Sequence, residues 1–140
     1  VLTMEPKRLD FNVPDLADPS ATHRIACYQW GNPTAQHTIL CAHGLTRNGR
    51  DFDFLAQALA NDYQLLCPDM PGRGESQWLT NPLGYSNPAY VADMAFILRS
   101  LNIARVSWVG TSMGGIMAML AGTTLPGLID RLVLNDIGCL

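Results

Sequence analysis

Arg105-Val106-Ser107-Trp108-Val109-Gly110-Thr111-Ser112-Met113-Gly114-Gly115-Ile116-Met117-Ala118-Met119-Leu120 reads as a strand, a sharp turn and a helix. Val106, Trp108 and Val109 are β-branched or aromatic, as a buried strand requires. From Gly114 onward, Ile116, Met117, Met119 and Leu120 favour a helix. Ser112 stands at the corner with glycine two residues before it and two residues after, so Gly110-Thr111-Ser112-Met113-Gly114 matches G-x-S-x-G.

That spacing has a physical reason. A serine forced to positive φ brings the backbones on either side close together, and only residues without bulk fit at the flanking positions. Its hydroxyl then stands clear at the end of the sheet, beside a helix N-terminus whose dipole stabilises a developing oxyanion. This is the arrangement called a nucleophile elbow. As a bare string the pattern arises by chance in about 5 of 100 chains of this length, taking Gly and Ser at roughly 7% each. The weight therefore falls on the strand before it and the helix after it.

Outward from the elbow, the rest of the chain supplies further strands and helices. Arg8 to Val13 and His23 to Trp30 alternate as two strands around a turn from Pro14 to Ser20, an opening hairpin. Gly31-Asn32-Pro33 breaks the chain before Thr38 to Ala42, a continuous apolar run typical of a strand covered on both faces. After His43-Gly44 and the loop Leu45 to Gly49, Phe52, Leu55 and Leu59 predict a helix from Asp51, capped by Asp51 or Asn48. Tyr63 to Cys67 is a second buried strand, ended by the turn residues Pro68 to Gly74. A long loop leads to Asn87, which with Pro88 predicts the cap and first position of a helix that buries Tyr90, Met94, Ile97, Leu98 and Leu101. Beyond the elbow a helix runs to Pro126-Gly127, and Ile129 to Leu134 forms a last strand that stops at Asn135-Asp136-Ile137-Gly138. Strand and helix alternate after residue 37, which predicts an α/β fold: a mostly parallel, twisted sheet with helices on both faces.

Composition narrows the function classes. With 140 residues, 48% of them hydrophobic, the chain can bury a core. A net charge of −3 with scattered charges offers no basic surface for nucleic acid. Cys27, Cys41, Cys67 and Cys139 form no C-x-x-C, and they read as free thiols of a reducing cytoplasm rather than as metal ligands or disulfides. The opening residues from Val1 to Arg8 lack a signal-peptide core, so a cytoplasmic location is expected. Val106 to Ile129 is uncharged and long enough to span a bilayer, but its glycines and Pro126 fit the elbow better than a membrane span.

Three segments together resemble the α/β-hydrolase family: His43-Gly44-Leu45, Asp69-Met70-Pro71-Gly72-Arg73-Gly74-Glu75-Ser76, and Gly110-Thr111-Ser112-Met113-Gly114-Gly115. The resemblance implies that Ser112 is a nucleophile and that the backbone N–H groups of Leu45 and Met113 form an oxyanion hole. His43, Gly44, Gly110 and Gly114 would shape the supporting loops. It implies acyl transfer to water from a small-molecule ester, with no cofactor and no metal. Cleavage of carbon–carbon bonds next to a carbonyl by the same triad remains an alternative.

The family places its catalytic histidine late in the chain, whereas His23, His37 and His43 all precede Ser112. His23 and His37 are expected at strand starts, at the opposite end of the sheet from the elbow, and His43 within the oxyanion loop. Asp136, after the sixth strand, is a candidate acid. Asp69 and Glu75 are explained by their turn-rich loop, and Arg47, Arg73, Trp78 and Tyr85 are expected as exposed loop residues near a pocket mouth. Residues 1–140 are accordingly expected to be the N-terminal part of a single hydrolase domain, cut after about the sixth strand and lacking its cap and C-terminal strands. Leu132-Val133-Leu134 would then be an apolar sheet edge, open to self-association or to completion by a C-terminal portion or a second chain. Alone, the chain is expected to be inactive or very weak. The missing base also leaves open a non-catalytic small-molecule-binding module.

Overall fold

The computed structural model describes residues 4–136, so Cys139 and the stop at Ile137-Gly138 lie outside the described residues. Lys7–Pro14 (β1) and Thr22–Trp30 (β2) form the opening antiparallel hairpin, paired from Lys7 with Gln29 to Pro14 with Thr22. Then follow Thr38–Ala42 (β3), Asp53–Leu59 (α1), Gln64–Pro68 (β4), Asn87–Ser100 (α2), Val106–Thr111 (β5), Met113–Thr124 (α3) and Ile129–Asn135 (β6). The strands make one sheet in the order β1-β2-β4-β3-β5-β6, in which β3 to β6 run parallel and β2 runs antiparallel to β4.

The predicted two-sided burial holds at the centre, where every residue of β3 and β4 is buried. Alternation along these strands splits the core. Ile39, Cys41, Leu65 and Cys67 pack with Trp30, Phe52 and Ala56 on the α1 side. Leu40, Ala42 and Leu66 pack with Met94, Ile97, Trp108 and Met117 on the side of α2 and α3. Toward β6 the cover is one-sided: Val106, Trp108 and Gly110 are buried, while Ser107, Val109 and Thr111 are only half-buried. Leu132, Val133 and Leu134 on β6 are 42%, 56% and 44% exposed, which makes this edge the apolar one expected from sequence.

Two helix starts differ from the sequence reading. Asn48 does accept from the Arg50 N–H at 2.9 Å, but it opens a single 3-10 turn, Gly49–Phe52, and α1 begins only at Asp53. Helix α2 is capped by Ser86 rather than Asn87. Ser86 has the extended backbone that a cap needs, and its Oγ accepts from the Ala89 N–H.

His23 is also displaced from its expected place. Strand β2 is antiparallel to β4, and Cys27 pairs with Pro68, so the residues preceding Cys27 lie toward the carboxyl ends of the parallel strands. His23 is therefore at the same end of the sheet as the elbow. His37 is at the opposite end, as expected; its carbonyl accepts from the Gln64 N–H at the start of β4.

The His23 ring is buried between two carboxylates, with Nδ1 2.5 Å from Asp15 and Nε2 3.0 Å from Asp93. Burial opposes the imidazolium, but the hydrogen bonds to Asp93 and Asp15 outweigh it and raise the pKa from 6.5 to about 8. Because the folded value lies above the unfolded one, the stabilisation is complete below pH 6.5 and is lost as pH rises through about 8. Asp93, held above its ordinary 3.8 chiefly by burial, has its own effect in the acid range. Urea unfolding is expected to show stability falling by about 2 kcal/mol across the neutral window. His23→Gln should flatten that slope; an equally steep slope in the variant would assign it to other groups.

Candidate active site

Ser112 joins β5 to α3 with φ 51° and ψ −112°, the strained positive-φ corner expected from its flanking glycines. The serine is exposed. Its N–H donates to the Asn135 carbonyl at 3.0 Å, and its own carbonyl accepts from Gly115 at 2.9 Å and Ile116 at 3.2 Å. Met113 is the first residue of the helix, where amide groups lack an acceptor four residues back. A Cβ on Gly110 would lie 2.6 Å from the Gly114 carbonyl oxygen, and one on Gly114 would overlap the Ala42 carbonyl. Buried Trp108 braces the corner by donating its indole N–H to the Gly114 carbonyl at 3.1 Å.

The His-Gly loop meets this corner because β3 and β5 are neighbours, with Ala42 paired to Gly110. A Cβ on Gly44 would sit 3.7 Å from both the Ser112 Cβ and the Thr111 carbonyl. His43 is fully buried, and burial pushes its pKa below the ordinary imidazole value. Nε2 accepts from the Met70 N–H at 2.9 Å, so the ring proton resides on Nδ1, which donates to the Gly44 carbonyl at 2.7 Å. In a trans peptide the carbonyl and the following N–H point opposite ways. Turning the Gly44 carbonyl to the ring thus turns the Leu45 N–H away from it. With both nitrogens engaged, His43 has no free site to accept a proton from Ser112.

The acidic residues separate cleanly. Asp69 is buried, and its carboxylate accepts from the Gly49 N–H at 2.7 Å and the Glu75 N–H at 2.8 Å, which ties the β4–α2 loop to the turn before α1. Glu75 is exposed beside Arg8. Asp136 is exposed at positive φ, directly after Asn135, whose carbonyl holds the Ser112 N–H. Arg47 is an exposed loop residue bound bidentately to Asp51, and Trp78 is 75% exposed. Tyr85 packs its ring on Gly72 and accepts from the Leu79 N–H at 2.8 Å.

Arg73 departs from the expectation of an exposed loop residue. It is half-buried and bonds to Leu45, Pro71 and Tyr90. Sequence spacing carries no signal for this contact, since the groups it joins lie 17 and 28 residues away. The carboxylates around His23 are likewise joined only by the tertiary fold. Among the described residues no His, Cys, Asp or Glu cluster is arranged to hold a metal, and no helix is long and apolar enough to cross a membrane.

The chain is 50% identical over 122 residues to a 3-hydroxybutyrate-oligomer hydrolase of Cupriavidus necator, covering 86% of this chain and 41% of that protein. It is 35% identical to a serine hydrolase-like protein of Danio rerio, over 76% of this chain and 32% of that one. A crystal structure of an alpha/beta hydrolase from Novosphingobium aromaticivorans superposes with a TM-score of 0.85 at 35% identity, over 96% of this chain and 45% of that one. The chain thus spans less than half the length of these relatives. The family model described as alpha/beta hydrolase fold matches residues 37–139. That match starts just before β3 and takes in every later strand and helix among the described residues, leaving residues 1–36 with the opening hairpin ahead of it; the chain belongs to the alpha/beta hydrolase fold family.

Proposed function

We propose that residues 1–140 are the N-terminal part of a single serine hydrolase domain that cleaves carboxylic esters through an acyl-enzyme on Ser112. The observation that carries this reading is an exposed serine at φ 51°, set against the first turn of α3 and within contact range of the Gly44 loop. In the proposed reaction a base passes the Ser112 proton to the leaving group, and Oγ attacks the ester carbonyl carbon. The resulting oxyanion takes hydrogen bonds from the N–H groups of Leu45 and Met113. Collapse breaks the acyl–oxygen bond and releases the alcohol, and water then hydrolyses the acyl-enzyme by the same steps.

The base is assigned outside the described residues, because His43 and His23 have both ring nitrogens occupied and His37 lies at the far end of the sheet. Asp136 is proposed as the acid that orients that base. The exposed β6 edge is proposed to be covered by the C-terminal portion of the domain. A cytoplasmic location is the companion proposal, supported by the buried free thiols of Cys27, Cys41 and Cys67.

The relative of Cupriavidus necator makes short hydroxyalkanoate ester oligomers the first substrates to test. The full-length protein is expected to hydrolyse them together with activated phenyl esters, while the 140-residue chain alone should match its own Ser112→Ala variant. Binding without turnover across a range of ester lengths would replace this reading with a non-catalytic small-molecule-binding module. Turnover only of carbon–carbon substrates would place the protein with the alternative users of the same triad.

A further inference from the structure

Leu45 carries one of the two proposed oxyanion donors, yet its own side chain is 59% exposed and gives the loop no anchor in the core. What holds residue 45 comes instead from the β4–α2 loop. The Arg73 Nε–H donates to the Leu45 carbonyl at 3.0 Å. The same guanidinium donates through Nη1 to the Pro71 carbonyl at 3.0 Å and to the Tyr90 hydroxyl at 2.8 Å. It also lies 5.4 Å from the centroid of the Tyr90 ring, and Tyr90 is buried in α2. A planar fork with several donors in fixed directions spans three acceptors on three segments, a spacing that the compact ammonium of a lysine does not reproduce.

The brace is linked to the other side of the loop. The Arg73 N–H donates to the Met70 carbonyl, and the Met70 N–H donates to His43, whose ring sets the Gly44 carbonyl. The peptide that bears the Leu45 N–H is thereby gripped at the Gly44 carbonyl through His43, and the peptide that follows it at the Leu45 carbonyl through Arg73. The Asp69 carboxylate fixes the bracing loop itself.

We propose that Arg73 is a positioning residue for ester hydrolysis, holding the Leu45 N–H in line with the forming oxyanion by anchoring Leu45 to α2 through Tyr90. This rests on the reading of Ser112 and Leu45 as nucleophile and oxyanion donor. An oxyanion draws far more from an aligned donor than the ground-state carbonyl does, so loosening the donor acts on kcat rather than on substrate binding.

The test uses the full-length protein and an activated phenyl ester. Ser112→Ala is measured first in the same assay; if it retains turnover, the underlying serine reading fails independently of Arg73. Given its loss, Arg73→Met is expected to lower kcat by about 10- to 100-fold, less than outright removal of a donor, with KM changed by under about twofold. Affinity for a boronic acid that mimics the tetrahedral adduct should fall by the same factor as kcat. Arg73→Lys, whose compact ammonium keeps the charge but not the spacing of the fork, should fall between the parent and Arg73→Met. Tyr90→Phe leaves the Leu45 bond and the ring beneath the guanidinium in place but removes the hydroxyl acceptor that ties Arg73 to α2; it keeps the test open if Arg73→Met does not fold, and its kcat should drop severalfold. Unchanged kcat and boronate affinity in a folded Arg73→Met, or in Tyr90→Phe if the former does not fold, would overturn the proposal. So would a loss confined to KM.

Discussion

Replacing Ser112 with alanine in the full-length protein is expected to lower kcat for a short ester by about 10,000-fold or more, with KM nearly unchanged. The magnitude follows from what the variant keeps. The amides of Met113 and Leu45 do not involve the Ser112 side chain, so oxyanion stabilisation survives and water attacks slowly in place of Oγ. The lost covalent route is worth roughly 5 kcal/mol of barrier, at 1.36 kcal/mol per factor of ten. KM holds because an exposed hydroxyl with little ground-state contact contributes equally little to binding the substrate. A loss of under about tenfold would mean that another group is the nucleophile.

The second large effect concerns the fold. Gly114→Ala is expected to cost more than about 4 kcal/mol or to prevent folding, because the new methyl would overlap the Ala42 carbonyl at the crossing of α3 and β3. Neither partner has room to retreat. Ala42 is fully buried in the central strand, and the Gly114 carbonyl is tied to the indole of Trp108. Gly122 is the control on the same helix: a Cβ there meets nothing within 4 Å, so Gly122→Ala should stabilise by about 0.5–1 kcal/mol. Thermal unfolding of the two variants should therefore show opposite signs. A Gly114→Ala chain within about 1 kcal/mol of the parent would show that the helix can shift away from β3, and the close packing attributed to the elbow would be wrong.

The fold was legible in the sequence where local pattern and tertiary environment agree. Uninterrupted apolar runs marked β3 and β4 as central, and the glycines around Ser112 announced a positive-φ corner between strand and helix. The strand order was not legible, since nothing in the run from Gln64 to Pro68 says that it inserts between β2 and β3. The misplacement of His23 came from the same source: its position in the sheet depends on β2 being reversed against β4, a fact of pairing rather than of local pattern. At helix ends the competition was between neighbouring polar residues. Ser86 and Asn87 are both good caps, and only the extended backbone at Ser86 decides between them.

At the candidate site, the residues legible in sequence were those fixed by backbone geometry: Ser112, Met113, Gly110, Gly114 and the His43-Gly44-Leu45 turn. What stayed hidden was the set of side chains that hold those backbones. Arg73 sits between two turn glycines and reads as solvent-facing, yet Tyr90 and the Leu45 carbonyl converge on it from segments 17 and 28 residues away. His43 was placed in the oxyanion loop by resemblance, but its proton on Nδ1 is settled only by the Met70 N–H that occupies Nε2.

The most direct measurement is mass spectrometry of the full-length protein after brief acid quenching during turnover of an activated short-chain ester. An increment equal to one acyl group is expected, mapping to the peptide that carries Ser112 and absent from the Ser112→Ala variant. An acyl group on a different residue, or steady turnover with no adduct under any quench, would contradict nucleophilic attack by Ser112.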